Sequence, residues 1–192
     1  MSIHEPGDGP EHPAVAPPTP DEPDLRDGLR QARDKAFSAF YRSTVRSLVG
    51  FLVNQGADVH VAADIAQDTM LSAYRRWETI DRPRAWVHTV ASRALVRRIA
   101  SCEEQPVAQV PEPTSLLAGP DVIADWEARH DLLPLLRSLP ARQRQVLAWA
   151  LSGFPPRDIA EQLGIGDEAV RASLYKARRA IAEAIKEREE EQ

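Results

Sequence analysis

Apolar positions recur at three- and four-residue spacing along the first half of the chain, a period that predicts amphipathic helices. The first apolar stripe comprises Phe37, Phe40, Thr44, Leu48 and Leu52. Residues 54–56 are expected to end this helix, because Asn and Gly are common just beyond helix ends. Neither an alternating run of β-branched residues nor an Asn-Gly turn occurs here, so nothing in this half indicates a strand.

Two more helices are predicted before residue 100. The second follows Asp58, and its apolar face comprises Ala62, Ala66, Met70, Ala73 and Trp77. The third begins near Pro83, because proline is favoured in the first helical turn. Its predicted apolar face comprises Trp86, Val90, Ala94 and Ile99. Three such helices can pack together around one small core.

The second half of the chain has a helix-turn-helix pattern. A helix predicted over residues 139–153 precedes a shorter one with an apolar face of Ile159, Ala160 and Leu163. Gly164 is suited to the left-handed conformation at a helix end, Ile165 is expected to enter the core, and Asp167 is expected to cap the next helix. The buried stripe predicted for that last helix is Val170, Leu174, Ala177 and Ile181.

The distribution of charge and proline separates the two helical parts. The chain of 192 residues has 16 Pro and a net charge of −5. The acidic side chains concentrate in residues 1–26 and 103–131, which are also rich in Pro, whereas the helical parts are net basic. Segments that combine proline, like charge and few apolar residues are typical of linkers and disordered tails.

We therefore predict an all-α protein of two small helical domains. The first domain is expected over residues 27–100 and the second over residues 126–186, joined by a flexible acidic linker at 101–125. Residues 1–26 are expected to form a disordered acidic tail, and residues 187–192 a short acidic C-terminal tail.

Several classes of protein are disfavoured by composition. No apolar run approaches the roughly 18–20 residues that cross a bilayer, and the first residues are acidic and Pro-rich rather than signal-like. The single cysteine, Cys102, excludes an internal disulfide framework and a multi-thiolate zinc site. The five His are scattered, so no convergent catalytic set is apparent. We expect a cytoplasmic protein that is not an enzyme and needs no cofactor or metal.

The second helix has a polar stripe on the side away from its apolar face. Asp64, Gln67, Asp68 and Leu71 are spaced at i, i+3, i+4 and i+7. A solvated face is the usual outcome for such a stripe. However, Leu71 places an apolar residue among the acids, and acids are scarce elsewhere in this domain.

The two strings DIAQDTMLSAYRRW (64–77) and RAWVHTVASRALVRR (84–98) resemble region 2 of the extracytoplasmic-function (ECF) sigma factors. The resemblance implies that Asp64, Gln67, Asp68 and Leu71 dock on the clamp helices of the RNA polymerase β′ subunit. It also implies that the second string melts the −10 promoter element. The candidate −10 residues are Arg82, Arg84, His88, Arg93, Arg97 and Arg98, since single-stranded DNA is held by a cationic groove.

The second half resembles region 4 of the same family, which recognises the −35 element and contacts the β flap of the polymerase. The polar face of the last helix supplies the candidate −35 residues Arg171, Ala172, Tyr175, Lys176 and Arg179. Arg171 lies near the helix N-terminus, which reaches base edges in the major groove. Lys176 and Arg179 suit phosphates, which fix position without reading sequence.

Several positions depart from the family pattern. The stretch over 78–83 is short where the family has a longer loop that captures a flipped −10 base. Arg93 replaces a common Asn, and Thr89 replaces a common Arg. In region 4, Ala169 and Ala172 replace Thr and Ser. These differences bear on which −10 and −35 sequences are preferred.

The resemblance implies a monomer that binds core polymerase and promoter DNA, double-stranded at −35 and single-stranded at −10. An anti-sigma factor is a further partner of this family, and no membrane partner is expected. The alternative is a helix-turn-helix regulator that acts without entering polymerase. Such regulators usually dimerise on palindromic sites, and they have no need of the Asp64–Asp68 stripe.

Overall fold

The computed structural model describes residues 22–104 and 132–190. Within these ranges the chain forms seven α-helices and one 3₁₀ turn, and no strand. The 3₁₀ turn is Trp77–Thr79. The helices are α1 (Glu22–Asn54), α2 (Val59–Arg75), α3 (Pro83–Glu104), α4 (Leu132–Ser138), α5 (Ala141–Leu151), α6 (Pro156–Leu163) and α7 (Asp167–Glu190). The predicted all-α fold is confirmed.

Helices α1, α2 and α3 pack into an N-terminal unit. Gly56, at φ 101°, turns the chain out of α1 in a conformation that favours glycine. The Asp58 side chain then caps α2 by accepting a hydrogen bond of 2.9 Å from the His60 backbone N–H. The predicted core stripes of α1 and α2 are confirmed, with Leu48, Leu52, Ala62, Ala66, Met70 and Ala73 buried.

The predicted apolar face of α3 is wrong by one position. The helix buries Val87, Ala91 and Leu95 against α1 and α2, while Trp86 is half-buried and Ile99 is 44% exposed. The cause is that α3 has a second covered face, on which His88 packs against Trp149 and Phe154 of the C-terminal unit and Ser92 donates a hydrogen bond to Gln55. Trp77, predicted on α2, instead belongs to the 3₁₀ turn and packs on Phe37 and Phe40.

Helices α4 to α7 form the C-terminal unit and include the predicted helix-turn-helix. Gly164 ends α6 in the left-handed conformation, at φ 64° and ψ 39°, as expected. Ile165 packs against the core, and Val170, Leu174 and Ala177 are buried. Asp167, however, is the first residue of α7 and lies inside its first turn rather than before it.

The helices extend beyond the predicted domain limits. Helix α1 begins at Glu22, inside the segment 1–26 expected to be a tail, and α3 ends at Glu104, inside the predicted linker 101–125. The C-terminal unit begins with α4 at Leu132, and α7 runs to Glu190 through most of the predicted tail 187–192. Residues 1–21 and 191–192 of the predicted tails, 105–125 of the predicted linker and 126–131 of the predicted second domain lie outside the described residues.

The two units are in contact with each other. Phe51 of α1 and Trp149 of α5 meet edge to face, with ring centroids 5.1 Å apart. Arg144 of α5 donates a hydrogen bond of 3.0 Å to the backbone carbonyl of Gln55. One continuous set of buried side chains therefore runs from the N-terminal unit into the C-terminal unit.

Candidate polymerase and DNA interfaces

The acidic stripe of α2 is accessible in this structure. Asp68 is exposed, Leu71 is 49% exposed, and Asp64 and Gln67 are half-exposed. The opposite side of the same helix is buried, which fixes the direction in which the stripe faces. A half-exposed leucine at the end of an acidic stripe provides an apolar contact beside a polar surface, and this combination suits a protein partner better than it suits DNA.

The candidate −10 residues divide into two groups along α3. Arg93, Arg97 and Arg98, in the second half of the helix, are exposed. Arg93 and Arg97 line one side of a groove of about 500 Å³ between the two units, and Arg142 of α5 lines the other. This group gives a cationic surface of the kind that tracks a nucleic-acid backbone.

The second group, at and before the start of α3, contacts the C-terminal unit. Arg82 donates a hydrogen bond of 2.8 Å to the Asp158 carboxylate, and the two form an ion pair. Arg84 donates to the backbone carbonyl of Ser152, and its guanidinium lies 5.3 Å from the centre of the Phe154 ring. Both arginines therefore have protein partners on the surface predicted to hold DNA.

His88 is fully buried between the units. Its ring lies 4.7 Å from Phe51 and 5.0 Å from Phe154, measured between centroids. The Nδ1 atom is 2.8 Å from the Arg84 carbonyl, which can only accept, so Nδ1 carries the proton. Within the described residues Nε2 has no hydrogen-bond partner. Burial lowers the pKa of His88 from 6.5 to about 4, so the ring is neutral at pH 7.

The burial of His88 bears directly on its predicted role at the −10 element. DNA cannot reach this ring while Trp149 and Phe154 cover it. Its assignment as a DNA contact therefore stays a prediction that requires the two units to separate.

The recognition face of α7 is open to solvent. All five candidate −35 residues are exposed, and Tyr175 is 68% exposed. Arg179 donates a hydrogen bond of 2.7 Å to Glu183, and this contact raises the pKa of its guanidinium. The face combines three cations, Arg171, Lys176 and Arg179, with the Tyr175 hydroxyl, as base and phosphate contacts in a major groove require.

Sequence reasoning missed the residues that join the two units. The Thr89 hydroxyl donates to the side-chain oxygen of Gln162, and Arg144 reaches Gln55 across the same boundary. Only Thr89 was marked as unusual in the sequence, because it replaces an arginine that is common in the resembled family. Asp158 and Gln162 were not identifiable from the sequence, because nothing in their spacing indicates a partner so distant along the chain.

Metal-binding clusters and membrane-spanning helices are both absent from the part of the chain that the structure describes. No group of three or more His, Cys, Asp or Glu side chains is placed to hold a metal ion. None of the described helices is both long and apolar enough to cross a membrane.

Comparison with known families matches both units in order. Residues 29–103 match the model of sigma-70 region 2, and residues 129–181 match the model of sigma-70 region 4. The chain belongs to the sigma-70 family, as an ECF sigma factor. The family predicted from the sequence is thus confirmed.

Curated relatives of this sigma factor are ECF RNA polymerase sigma factors. RpoE of Cereibacter sphaeroides is 29% identical over 154 residues, which cover 73% of this chain and 82% of that protein. SigL of Mycobacterium tuberculosis is 28% identical over 167 residues, covering 83% of this chain and 94% of that protein.

Solved structures share the fold of this sigma factor. RpoE from Bartonella quintana, in complex with the anti-sigma factor NepR, matches with a TM-score of 0.61 at 19% identity, covering 79% of this chain and 98% of that one. CnrH, in complex with the cytosolic domain of CnrY, matches with a TM-score of 0.57 at 18% identity, covering 82% and 94% of the two chains.

Proposed function

We propose that this sigma factor binds core RNA polymerase and directs it to promoters. The observation that carries the proposal is the ordered pair of region 2 and region 4 matches, together with an exposed acidic stripe on α2. A helix-turn-helix regulator that acts outside polymerase accounts for α6 and α7, but it gives no reason for region 2 or for the stripe.

Each candidate surface has a distinct part in the proposal. The stripe of Asp64, Gln67, Asp68 and Leu71 docks on the β′ clamp helices. The recognition face of α7 reads the −35 duplex, with Arg171 on base edges and Lys176 on phosphates. The cationic side of α3 holds the single strand of the −10 element. The polymerase performs the chemistry, and the sigma factor acts in the cytoplasm, where that enzyme works.

The docking role can be tested by changing two residues of the stripe. Asp64→Ala combined with Gln67→Ala removes polar contacts worth about 1–3 kcal/mol in total, so affinity for core polymerase should fall about tenfold. Both side chains lie away from the core, so helix content and thermal stability should change little. Asp27→Ala, at an exposed position on α1, is the charge control. Unaltered affinity of the double variant, measured by titration with labelled core enzyme, would refute docking through α2.

An anti-sigma factor is a second proposed partner. The support is the fold shared with RpoE of Bartonella quintana and with CnrH, each solved in a complex with its regulator. A protein that co-purifies with the full chain should abolish run-off transcription when it is added back in equimolar amount. A co-purified protein without effect on transcription would remove the support for this partner.

A further inference from the structure

The two units meet in two places, one of which is the packing of α1 on α5 through Phe51, Trp149 and the Arg144–Gln55 hydrogen bond. In the second place, the residues on the N-terminal side are Arg82, Arg84, His88 and Thr89, which all lie in the segment proposed to hold the −10 strand. On the C-terminal side the contacts come from Ser152, Phe154, Asp158 and Gln162, in α6 and the loop before it. The other proposed surfaces, on α2 and on the recognition face of α7, stay exposed.

The chemistry of the contact imitates that of the proposed ligand. Asp158 supplies an anionic oxygen to Arg82, where a phosphate oxygen of the DNA is expected, and the Ser152 carbonyl supplies another acceptor to Arg84. The Phe154 ring lies against both Arg84 and His88, as a base would stack on such groups. The C-terminal unit therefore satisfies the same donors and ring faces that single-stranded DNA would use.

We infer that the −10 surface and the helix-turn-helix unit of the same chain form an autoinhibitory contact, which must open before the −10 strand binds. This inference rests on the proposed function for the role of the surface, but the contact itself does not. Because the acidic stripe of α2 is accessible in the closed protein, polymerase can dock there first, and opening then follows docking.

Separation of the two units exposes polar groups to water at little cost in free energy, but it also exposes an aromatic cluster. Phe51, Trp149 and Phe154 pack with centroid distances of 4.8–5.1 Å around His88, and exposing them to water opposes opening. The Arg82–Asp158 ion pair is partly exposed, with side chains 63% and 25% accessible, so it stabilises the closed form less than the aromatic cluster does. Polar substitutions at the edge of the contact should therefore shift the balance between closed and open forms without unfolding either unit.

The closed form can be tested by measuring a distance across the contact. Spin labels at Arg46→Cys on α1 and Glu187→Cys on α7, both exposed, report the separation of the units in full-length protein carrying Cys102→Ser. We expect one narrow distance distribution for the parent. Asp158→Ala with Gln162→Ala, which removes the ion pair and the bond to Thr89, should broaden the distribution towards longer distances. Arg82→Ala, which removes the same ion pair from the other side, should do so as well. A broad distribution in the parent would overturn the closed form.

The inhibitory role is tested by binding of a labelled single-stranded oligonucleotide. If only the open form binds, apparent affinity scales with the open fraction. The double variant should then bind about tenfold more tightly, the change expected from loss of about 1.4 kcal/mol of contact. Glu161→Ala removes one negative charge from the same helix at an exposed position, so it controls for the change in charge. Equal gains in the double variant and in Glu161→Ala would overturn autoinhibition.

The two readouts separate this inference from the proposed function. A distance distribution that is narrow in the parent and broader in the variants supports the contact between the two units, whatever ligand the protein binds. If the opened variant binds neither the oligonucleotide nor core polymerase, the proposed function fails and the autoinhibitory role fails with it, while the closed form stands. If the parent distance is broad but core binding is retained, only the inference made here fails.

Discussion

At the scale of single residues, His88 has the environment with the clearest chemical consequence. Its ring packs against Trp149 and Phe154 from the C-terminal unit and Phe51 from α1, none of which carries charge, and its Nε2 has no hydrogen-bond partner among the described residues. Arg84, on the same helix, adds a positive charge that also disfavours protonation of the ring. A proton added to Nε2 would therefore be buried without a partner.

This environment predicts an acid-sensitive structure. The pKa of His88 is lowered from 6.5 to about 4, so the folded protein binds fewer protons than the unfolded chain between these values. Above pH 6.5 the ring is neutral in both states, so His88 does not lower the free energy of unfolding. As the pH falls from 6.5 towards 4, the free energy of unfolding decreases because only the unfolded chain takes up the proton. By pH 5 this decrease amounts to a loss of about 2 kcal/mol in the free energy of unfolding. Urea titrations at pH 7.5 and 5 should show this loss in the parent and a smaller one in His88→Gln. Equal losses in both proteins would contradict the assignment.

The exposed recognition face of α7 predicts two different effects on promoter recognition. Arg171→Ala removes a base-edge contact worth about 1–3 kcal/mol and should relax preference at one −35 position. Lys176→Ala removes a phosphate contact, so it should weaken all promoters about equally and reduce the salt slope by about one. Transcription from a promoter library with core enzyme measures both. Identical sequence profiles for the two variants and the parent would argue against these roles.

At the scale of secondary-structure elements, the turn between α6 and α7 makes the sharpest prediction. Gly164 has φ 64°, which an L side chain adopts only at a cost of about 1 kcal/mol. Gly164→Ala should therefore lower the free energy of unfolding by about that amount, although a Cβ there would meet no atom within 4 Å. Gly166→Ala is the matched control, since Gly166 has open space and no positive φ. Thermal unfolding of the two variants should separate them, and equal midpoints would contradict the strain argument.

The helices also show which structural features can be predicted from sequence patterns and which cannot. Helices with one covered face, such as α2, were predicted with the correct core positions, because a single buried stripe leaves a clear 3.6-residue period. Helix α3 was predicted with the wrong face, because Val87 and Ala91 pack within its own unit while His88 is covered by Trp149 and Phe154 of the other unit. A helix between two surfaces has no single apolar face, and sequence alone does not show that a distant unit covers the second side.

The candidate sites also differ in whether they could be predicted from the sequence. The stripe Asp64–Asp68 and the polar face of α7 are visible in the sequence as polar residues at helical spacing, and the resemblance to regions 2 and 4 assigns each of them a predicted role. The partnership of Thr89 with Gln162 and of Arg82 with Asp158 depends on the docking of two units separated by the segment 105–131. Contacts of that kind arise from tertiary packing and leave no local pattern.

At the scale of the whole molecule, the accessibility of the proposed surfaces is consistent with the proposal of action within polymerase. The stripe proposed to bind polymerase and the face proposed to read the −35 element are exposed, while part of the proposed −10 surface contacts the C-terminal unit. A free protein in this form offers DNA one small domain, which buries too little surface for tight specific binding. Holding both units on polymerase raises the effective concentration of the second contact once the first has formed.

The most direct test is run-off transcription of genomic DNA by core polymerase with and without this protein, paired with gel shifts by the protein alone. We predict defined start sites that appear only when core enzyme and protein are both present, and weak binding of those promoters by the protein alone at moderate salt. Tight, sequence-specific binding without polymerase, together with no new start sites in its presence, would contradict the sigma-factor account and favour a free-standing regulator.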